Sequence, residues 1–265
     1  MSAAKPFRQS LAVQSRVLGA LILREIHTRY ARENIGFLWL AGEPVLFAGG
    51  VIAMRTFLHF FGHEQHGMTL IGFLMTGYLP FLLYRHMISR CIHCVKANSS
   101  VLYHRQVRII DLYLSRLVLE AVGIIVAFVG GCALFIATGL MDPPQNLFLL
   151  YAGWFYALWF CAAFSIFVGA ASELSNLVEK LYNPFSYLSL PVSGAFYMVE
   201  WLPHDWQQIA LYVPLVHYFE MIRGGYFGEA VTVHYDIAYL TAWCLVLTFA
   251  ALATITAVRK RVAVA

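Results

Sequence analysis

The chain has 265 residues, 60% of them hydrophobic and only 12% charged, with 18 Lys and Arg against 14 Asp and Glu and a mean hydropathy of +0.69. Soluble domains carry about 25% charged residues, and a chain this poor in them cannot cover a folded surface with polar groups. The composition excludes a soluble enzyme or binding domain and predicts an all-α integral membrane protein, because helices satisfy their own backbone in hydrocarbon.

In chain order, residues 5–32 come first. Lys5, Arg8, Arg16, Arg24, Arg29 and Arg32 spread charge across them without an apolar core ahead of a small-residue cleavage site, so this segment is expected to stay in the mature protein. Phe7, Leu11, Val17, Leu18, Leu21, Ile22 and Leu23 recur among the charges at spacings that fit one face, which predicts an amphipathic interfacial helix. A spanning helix needs about 20 apolar residues. Six stretches qualify: 35–61, 68–88, 112–140, 147–171, 184–201 and 237–258. The third carries Arg116 and Glu120 near its start, and the fifth is short and holds Pro191 and Gly194. The connector 202–236 contains WQQIALYVPLVHYFEMIR, aromatic and apolar yet too short to cross, and reads as one or two short helices that lie on the outer face or re-enter it.

With the N-terminus in the cytoplasm, fifteen of the 18 Lys and Arg fall on the inner side, Arg55 and Arg116 fall within spans, and Arg223 alone lies outside. That asymmetry predicts both termini in the cytoplasm. There is no GxxxxGK[ST] loop, HExxH, GxSxG or paired CxxC, so neither nucleotide hydrolysis nor a catalytic or metal centre is expected on this chain. CIHC at 91–94 sets two thiols and an imidazole too close on one helix to meet a single ion, and the five cysteines read as small core residues. No cofactor and no nucleic-acid partner is expected.

The stretch ENIGFLWLAGEPVLF at 33–47 places Glu43 and Pro44 inside the first apolar run. That run, 35–61, has 27 residues, or about 40 Å of helix against a core of about 30 Å, so its surplus lies at the cytoplasmic end. Pro44 removes a backbone donor there and bends the chain, and Glu43 sits level with Arg90 and Arg116 as a candidate gate. Charges within spans point to a bundle interior or to water. Glu43, Arg116 and Glu120 are read as holding spans together; Arg55, Arg85 and Arg90 are read as meeting an anionic substrate, with snorkelling as the competing role of Arg85 and Arg90. Aromatic faces suit sugar rings, which makes Trp39, Tyr78, Phe81, Tyr84, Trp159, Phe196 and Tyr197 candidates for a substrate path, although each also reads as a packing or interface residue. Residues 92–106 form a cytoplasmic connector in which Asn98, Ser99 and Ser100 are placed to cap a short helix with Tyr103, His104, Arg105 and Gln106 at its tip.

The segment REIHTRYARENIGFLWLAGEP, 24–44, with Arg29, Tyr30, Asn34, Gly36, Trp39 and Pro44 in register, resembles the start of the permease subunits of ABC transporters that export polysaccharides. The segment NSSVLYHRQVRIIDLYLSRLVLE, 98–120, looks like the connector and third-span entry of the same family, and Gln106 and Val107 stand where other members more often carry an FP-type pair, which fits the capsule group. The resemblance implies a homodimeric permease in a bacterial inner membrane that works with two copies of a separate ATPase, which would bind ATP and Mg, to move lipid-linked capsular polysaccharide outward; whether a periplasmic and outer-membrane conduit joins the assembly is left open by the sequence. It also implies that 92–106, with Ser99, Ser100, Tyr103, His104, Arg105 and Gln106, is the helix that docks on the ATPase. O-antigen, lipid or drug export by a related permease, and an integral-membrane enzyme acting on lipid-linked sugars, are the alternatives left open.

Overall fold

The computed structural model describes residues 7–30, 69–102 and 107–264, which are helical with no strand among them. The elements are α1 (Phe7–Tyr30), α2 (Leu70–Cys91), the single-turn helices α3 (Cys94–Ala97) and α4 (Ser99–Leu102), α5 (Ile109–Ala137), α6 (Leu147–Leu174), α7 (Asn176–Val192), α8 (His204–Leu211), α9 (Pro214–Phe227) and α10 (Ile237–Val264). Among the described residues three helices, over 109–137, 147–174 and 237–261, are long and apolar enough to cross a membrane. The first expected span, 35–61, lies outside the described residues.

α6 is the centre of the bundle: α10, α9 and α2 pack on it, α5 packs on α2, and α1 runs along α5. Lipid tails are as apolar as leucine, so such helices gain mainly from close packing and interhelical hydrogen bonds. Both are present. A Cβ on Gly225 of α9 would lie 2.3 Å from the Leu150 nitrogen of α6, an approach only glycine permits. The Tyr156 and Thr241 hydroxyls meet at 2.9 Å and Trp159 Nε1 donates to Thr248 Oγ1 at 3.1 Å, joining α6 to α10. The buried seam includes Leu79, Leu83, Met87 and Ile88 of α2, Ala157, Phe160 and Ala170 of α6, and Tyr218 and Ile222 of α9.

The fifth expected span, 184–201, is displaced. Its helix runs from Asn176 to Val192, because Ser175 caps it by accepting from Leu177 N at 3.3 Å and Gly194, at φ +87°, ends it. Pro184 and Pro191 lie within the helix. Leu177, Leu181, Phe185, Leu188 and Val192 form an exposed apolar stripe on one side of α7, while Tyr182 and Ser186 are buried on the other.

Residues 202–236 hold two α-helices and a short 3-10 helix, Gly228–Ala230. α9 starts against the middle of α6, where the Tyr218 and Phe160 rings lie 6.1 Å apart, and ends against its beginning, where the Gly225 carbonyl accepts from Asn146 N at 2.8 Å. Arg223, the lone basic residue of this connector, is fully buried: Nη1 donates to the carbonyls of Gly194 (2.7 Å) and Tyr197, Nη2 to that of Ala195, and the guanidinium lies 4.0 Å from the Phe73 ring centre. It thus holds the chain just past the carbonyl end of α7, where a cation is favoured. Glu220, one turn earlier, accepts from Val199 N (3.1 Å) and His234 N (3.0 Å), so α9 grips the chain on both sides of itself.

Candidate functional site

The last two turns of α2 present Arg85, His86, Ser89 and Arg90 on one stripe, since residues four apart share a helix face. Across from them α7 supplies the buried Tyr182 and Ser186 and the exposed Tyr187, and the two helices enclose a polar groove of about 400 Å³. The Tyr182 hydroxyl donates to the Arg85 carbonyl at 2.8 Å, and the Arg85 guanidinium lies 5.0 Å from the centre of the Tyr187 ring. Arg90 Nε donates to Glu120 Oε1 of α5 at 3.2 Å, and His86 Nδ1 lies 3.6 Å from Glu120 Oε2. Glu120 is 1% exposed whereas the Arg90 side chain is 51% exposed, so the carboxylate is a buried anchor and the guanidinium keeps a face open to the groove. Among the described residues Arg85 meets no carboxylate within ion-pair distance. The groove is basic, with an aromatic wall.

Beside it lies an elbow. α2 stops at Cys91, and His93, in the left-handed region at φ 52°, turns the chain toward the corner between α6 and α7. His93 N donates to Ser172 Oγ (3.2 Å) and Glu173 Oε1 accepts from both Val95 N (2.8 Å) and Lys96 N (3.2 Å). Those two amides open α3, where a helix has no internal acceptor to offer, so a carboxylate is the natural partner. His93 Nε2 lies 2.8 Å from Glu179 Oε2, and this hydrogen bond holds the Glu179 carboxyl below its ordinary pKa. The other side of the elbow is tied to α1: Arg24 donates to Asn98 Oδ1, while Arg116 Nε lies 3.5 Å from Glu25 and its Nη1 donates to the Arg90 carbonyl at 2.6 Å. Arg261 of α10 reaches the Leu174 carbonyl at 2.9 Å. Elbow and groove share α7, which starts at the first and walls the second.

Of the residues singled out from sequence, Arg85 and Arg90 come together in the groove. Arg116 stands between α1, α2 and the elbow, paired to Glu25. Phe81 and Tyr84 are buried, Tyr84 stacking on Phe164 of α6 at 5.9 Å, and Tyr78 is partly buried against the same core. These aromatics, like Trp159 between α6 and α10, face neighbouring helices and do not line the groove. Phe196 and Tyr197 sit beyond the end of α7, the Tyr197 hydroxyl donating to the Val192 carbonyl at 3.1 Å. Ser99 and Ser100 are exposed at the start of α4. Asn98 does not cap that helix with its side chain, which turns back to donate to the Cys94 carbonyl at 2.9 Å because Arg24 occupies its oxygen. Trp39, Glu43, Pro44, Arg55, Tyr103, His104, Arg105 and Gln106 lie outside the described residues. Cys91 and Cys94 are buried free thiols, and burial pushes that of Cys94 up to about 12.

Sequence reasoning missed Tyr182 because it began the fifth span at 184, and Ser186 and Tyr187 fell inside that span without being singled out. The signal was there: Ser175 is a cap residue, followed by Leu177, Leu181, Phe185, Leu188 and Val192 at helical spacing. Glu173 gave no such signal, since its partners are backbone amides across the bundle.

Residues 56–253 match the family described as ABC-2 family transporter protein. The chain belongs to the ABC-2 transporter family. It is 38% identical to the capsule polysaccharide export inner-membrane protein BexB of Haemophilus influenzae over 234 residues, 88% of each chain. With CtrC of Neisseria meningitidis serogroup B, which bears the same description, it shares 35% identity over 97% of its own length and 96% of the relative's. The polysialic acid transport protein KpsM of Escherichia coli is 26% identical over 93% of this chain. The ABC-2 transporter described here is therefore a multi-pass membrane transport subunit whose groove and elbow contain no catalytic constellation among the described residues.

Proposed function

We propose that this chain is the permease of a capsule polysaccharide exporter in a bacterial inner membrane, driven by two copies of a separate ATPase that bind ATP and Mg. The observation that carries the reading is the basic groove with its Tyr182 and Tyr187 wall, which shares α7 with a carboxylate-stapled elbow. In this arrangement α2, α5, α6, α7 and α10 are five of six spans and 35–61 is the other, with both termini and the elbow cytoplasmic. α1 lies along the inner interface, and α8 with α9 forms a re-entrant hairpin on the outer side. The names of BexB, CtrC and KpsM support the cargo class, and an acidic, lipid-linked polymer suits a groove lined by the guanidinium groups of Arg85 and Arg90. Two such chains form the pathway, and a periplasmic and outer-membrane conduit receives the polymer.

The chemistry is binding and release. Arg85, which meets no carboxylate among the described residues, offers the polymer a cation and Tyr187 an aromatic face, while Glu120 keeps Arg90 aimed along the groove. Force applied by the ATPase to 99–106 reaches His93, Val95 and Lys96, and through Ser172, Glu173 and Glu179 it turns the base of α7. Opening and closing of the groove then follow hydrolysis.

The test is export in cells carrying Arg85→Ala, Arg90→Ala and Arg85→Lys, with surface polysaccharide measured against inserted protein. Loss of most surface polymer in the alanine variants, with retention in the lysine variant, is expected. Normal export in both alanine variants would remove the groove from the pathway.

A further inference from the structure

At the opposite end of the bundle from the groove, where α10 begins, the structure holds a second polar opening. Its volume is about 570 Å³, and its lining includes Gln208, Tyr212, His217, His234, Asp236 and Tyr239. The walls are held by bonds to the backbone. The Tyr239 hydroxyl donates to the Tyr212 carbonyl at 2.7 Å. His217 spends both ring nitrogens: Nδ1 accepts from Asp236 N at 2.9 Å, so Nε2 carries the proton and donates to the Leu211 carbonyl at 2.9 Å. The His217 and Tyr239 rings lie 5.1 Å apart. One Asp236 oxygen accepts from Tyr239 N at 3.0 Å at the start of α10, leaving the other toward the opening, and the exposed Gln208 amide makes no hydrogen bond among the described residues. The Tyr212 ring is 75% exposed at the rim.

Two aromatic faces, a carboxylate oxygen and a free amide around a cavity of this size are what a hydroxyl-bearing ring requires: the flat C–H face stacks on the aromatic ring, and the hydroxyls bond the polar groups. Charge decides between ligand classes. Among the described residues no Lys or Arg lines the opening, while Asp236 does and Glu200 stands 2.7 Å from His234 Nε2, so phosphate and uronate groups are disfavoured here. The groove at the other end has the opposite bias.

We propose that the opening between α8, α9 and the start of α10 is a saccharide subsite for an uncharged sugar unit, with Tyr212 and Tyr239 as stacking faces and Asp236 and Gln208 as hydrogen-bonding groups. It rests on the export reading only for its purpose, which is to hold a sugar of the emerging polymer; binding itself requires neither ATPase nor transport. The subsite and the groove would then grip chemically different parts of one chain.

The experiment uses the purified full chain in detergent, with saturation-transfer NMR and intrinsic fluorescence reading the binding of three probes: a neutral gluco-oligosaccharide, chitotetraose and an oligogalacturonate. Binding of one or both uncharged probes, at least tenfold tighter than that of the acidic one, is expected. Asp236→Asn keeps the oxygen that accepts from Tyr239 N, and Tyr212→Ala removes only a rim ring, so both variants should fold. Each should weaken the uncharged probe about tenfold, with an unchanged Tm. The proposal is overturned if the acidic probe binds as well as the neutral ones, if no uncharged probe binds, or if both variants bind as the wild type does. Failure of the export reading would appear separately, as normal surface polysaccharide in the groove variants.

Discussion

Removing the Glu173 carboxylate tests how the elbow is held to the last turn of α6, next to the start of α7. The amides of Val95 and Lys96 belong to the first turn of α3 and have no acceptor within their own helix, so their hydrogen bonds at 2.8 and 3.2 Å go to Glu173 Oε1. A hydrogen bond to a charged group contributes about 1.5–3 kcal/mol. Val95 is 5% exposed and should lose most of that, whereas Lys96 is exposed and its amide recovers much of the loss from water. Glu173→Ala should therefore weaken the clasp locally by about 2–3 kcal/mol, which at 1.4 kcal/mol per decade is about 30- to 150-fold in local opening. Hydrogen exchange reads this directly: the Val95 and Lys96 amides should exchange faster by that factor while amides in the middle of α6 keep their protection. Export should fall with protein insertion unchanged, and Glu173→Gln, which keeps an acceptor without the charge, should fall between. Unchanged exchange at Val95 and Lys96 in Glu173→Ala would refute the clasp, whatever export did.

Other outcomes follow from the same geometry. Gly225→Ala places a methyl 2.3 Å from the Leu150 nitrogen; overpacking of that kind costs about 1–3 kcal/mol or more, and a lower Tm of the solubilised protein is expected. Gly19→Ala in α1 meets nothing within 4 Å, so it should raise helix stability by about 0.5–1 kcal/mol without loss of export. Arg223→Met leaves the Gly194, Ala195 and Tyr197 carbonyls without their donor and Glu220 without its neighbouring cation, a loss of about 3–5 kcal/mol, visible as increased hydrogen exchange over 193–199. The Glu179 carboxyl is held below its ordinary pKa by its bond to His93, so this tie is complete above the ordinary value of 4.5 and is lost as pH falls through the lowered one. The Tm difference between wild type and Glu179→Gln should accordingly be present at neutral pH and vanish on acidification.

What the sequence determined alone is the chemistry of each helix and its medium. A composition with 12% charge and apolar runs separated by basic connectors admits little besides a membrane bundle, and the REIHTRYARENIGFLWLAGEP and NSSVLYHRQVRIIDLYLSRLVLE segments carry the family. Arg85 and Arg90 could be picked out because an ionised group near hydrocarbon needs a reason, and that cost is a property of one residue and its neighbours. Only the tertiary structure decided which groups face one another. The carboxylate for Arg90 comes from 30 positions away, and the aromatic wall comes from α7, reached through the Arg85 carbonyl 97 positions from Tyr182. Glu173 meets backbone amides, which every residue possesses and no sequence pattern marks. Arg223 was legible as a basic residue on the poorly charged side, yet its burial under the end of α7 depends on α9 folding back along α6, an arrangement set by Gly153 and Gly225 where two backbones touch. Periodicity and charge report how each helix is solvated; partners depend on the register between helices, and small residues fix that register through contacts without a periodic signal of their own.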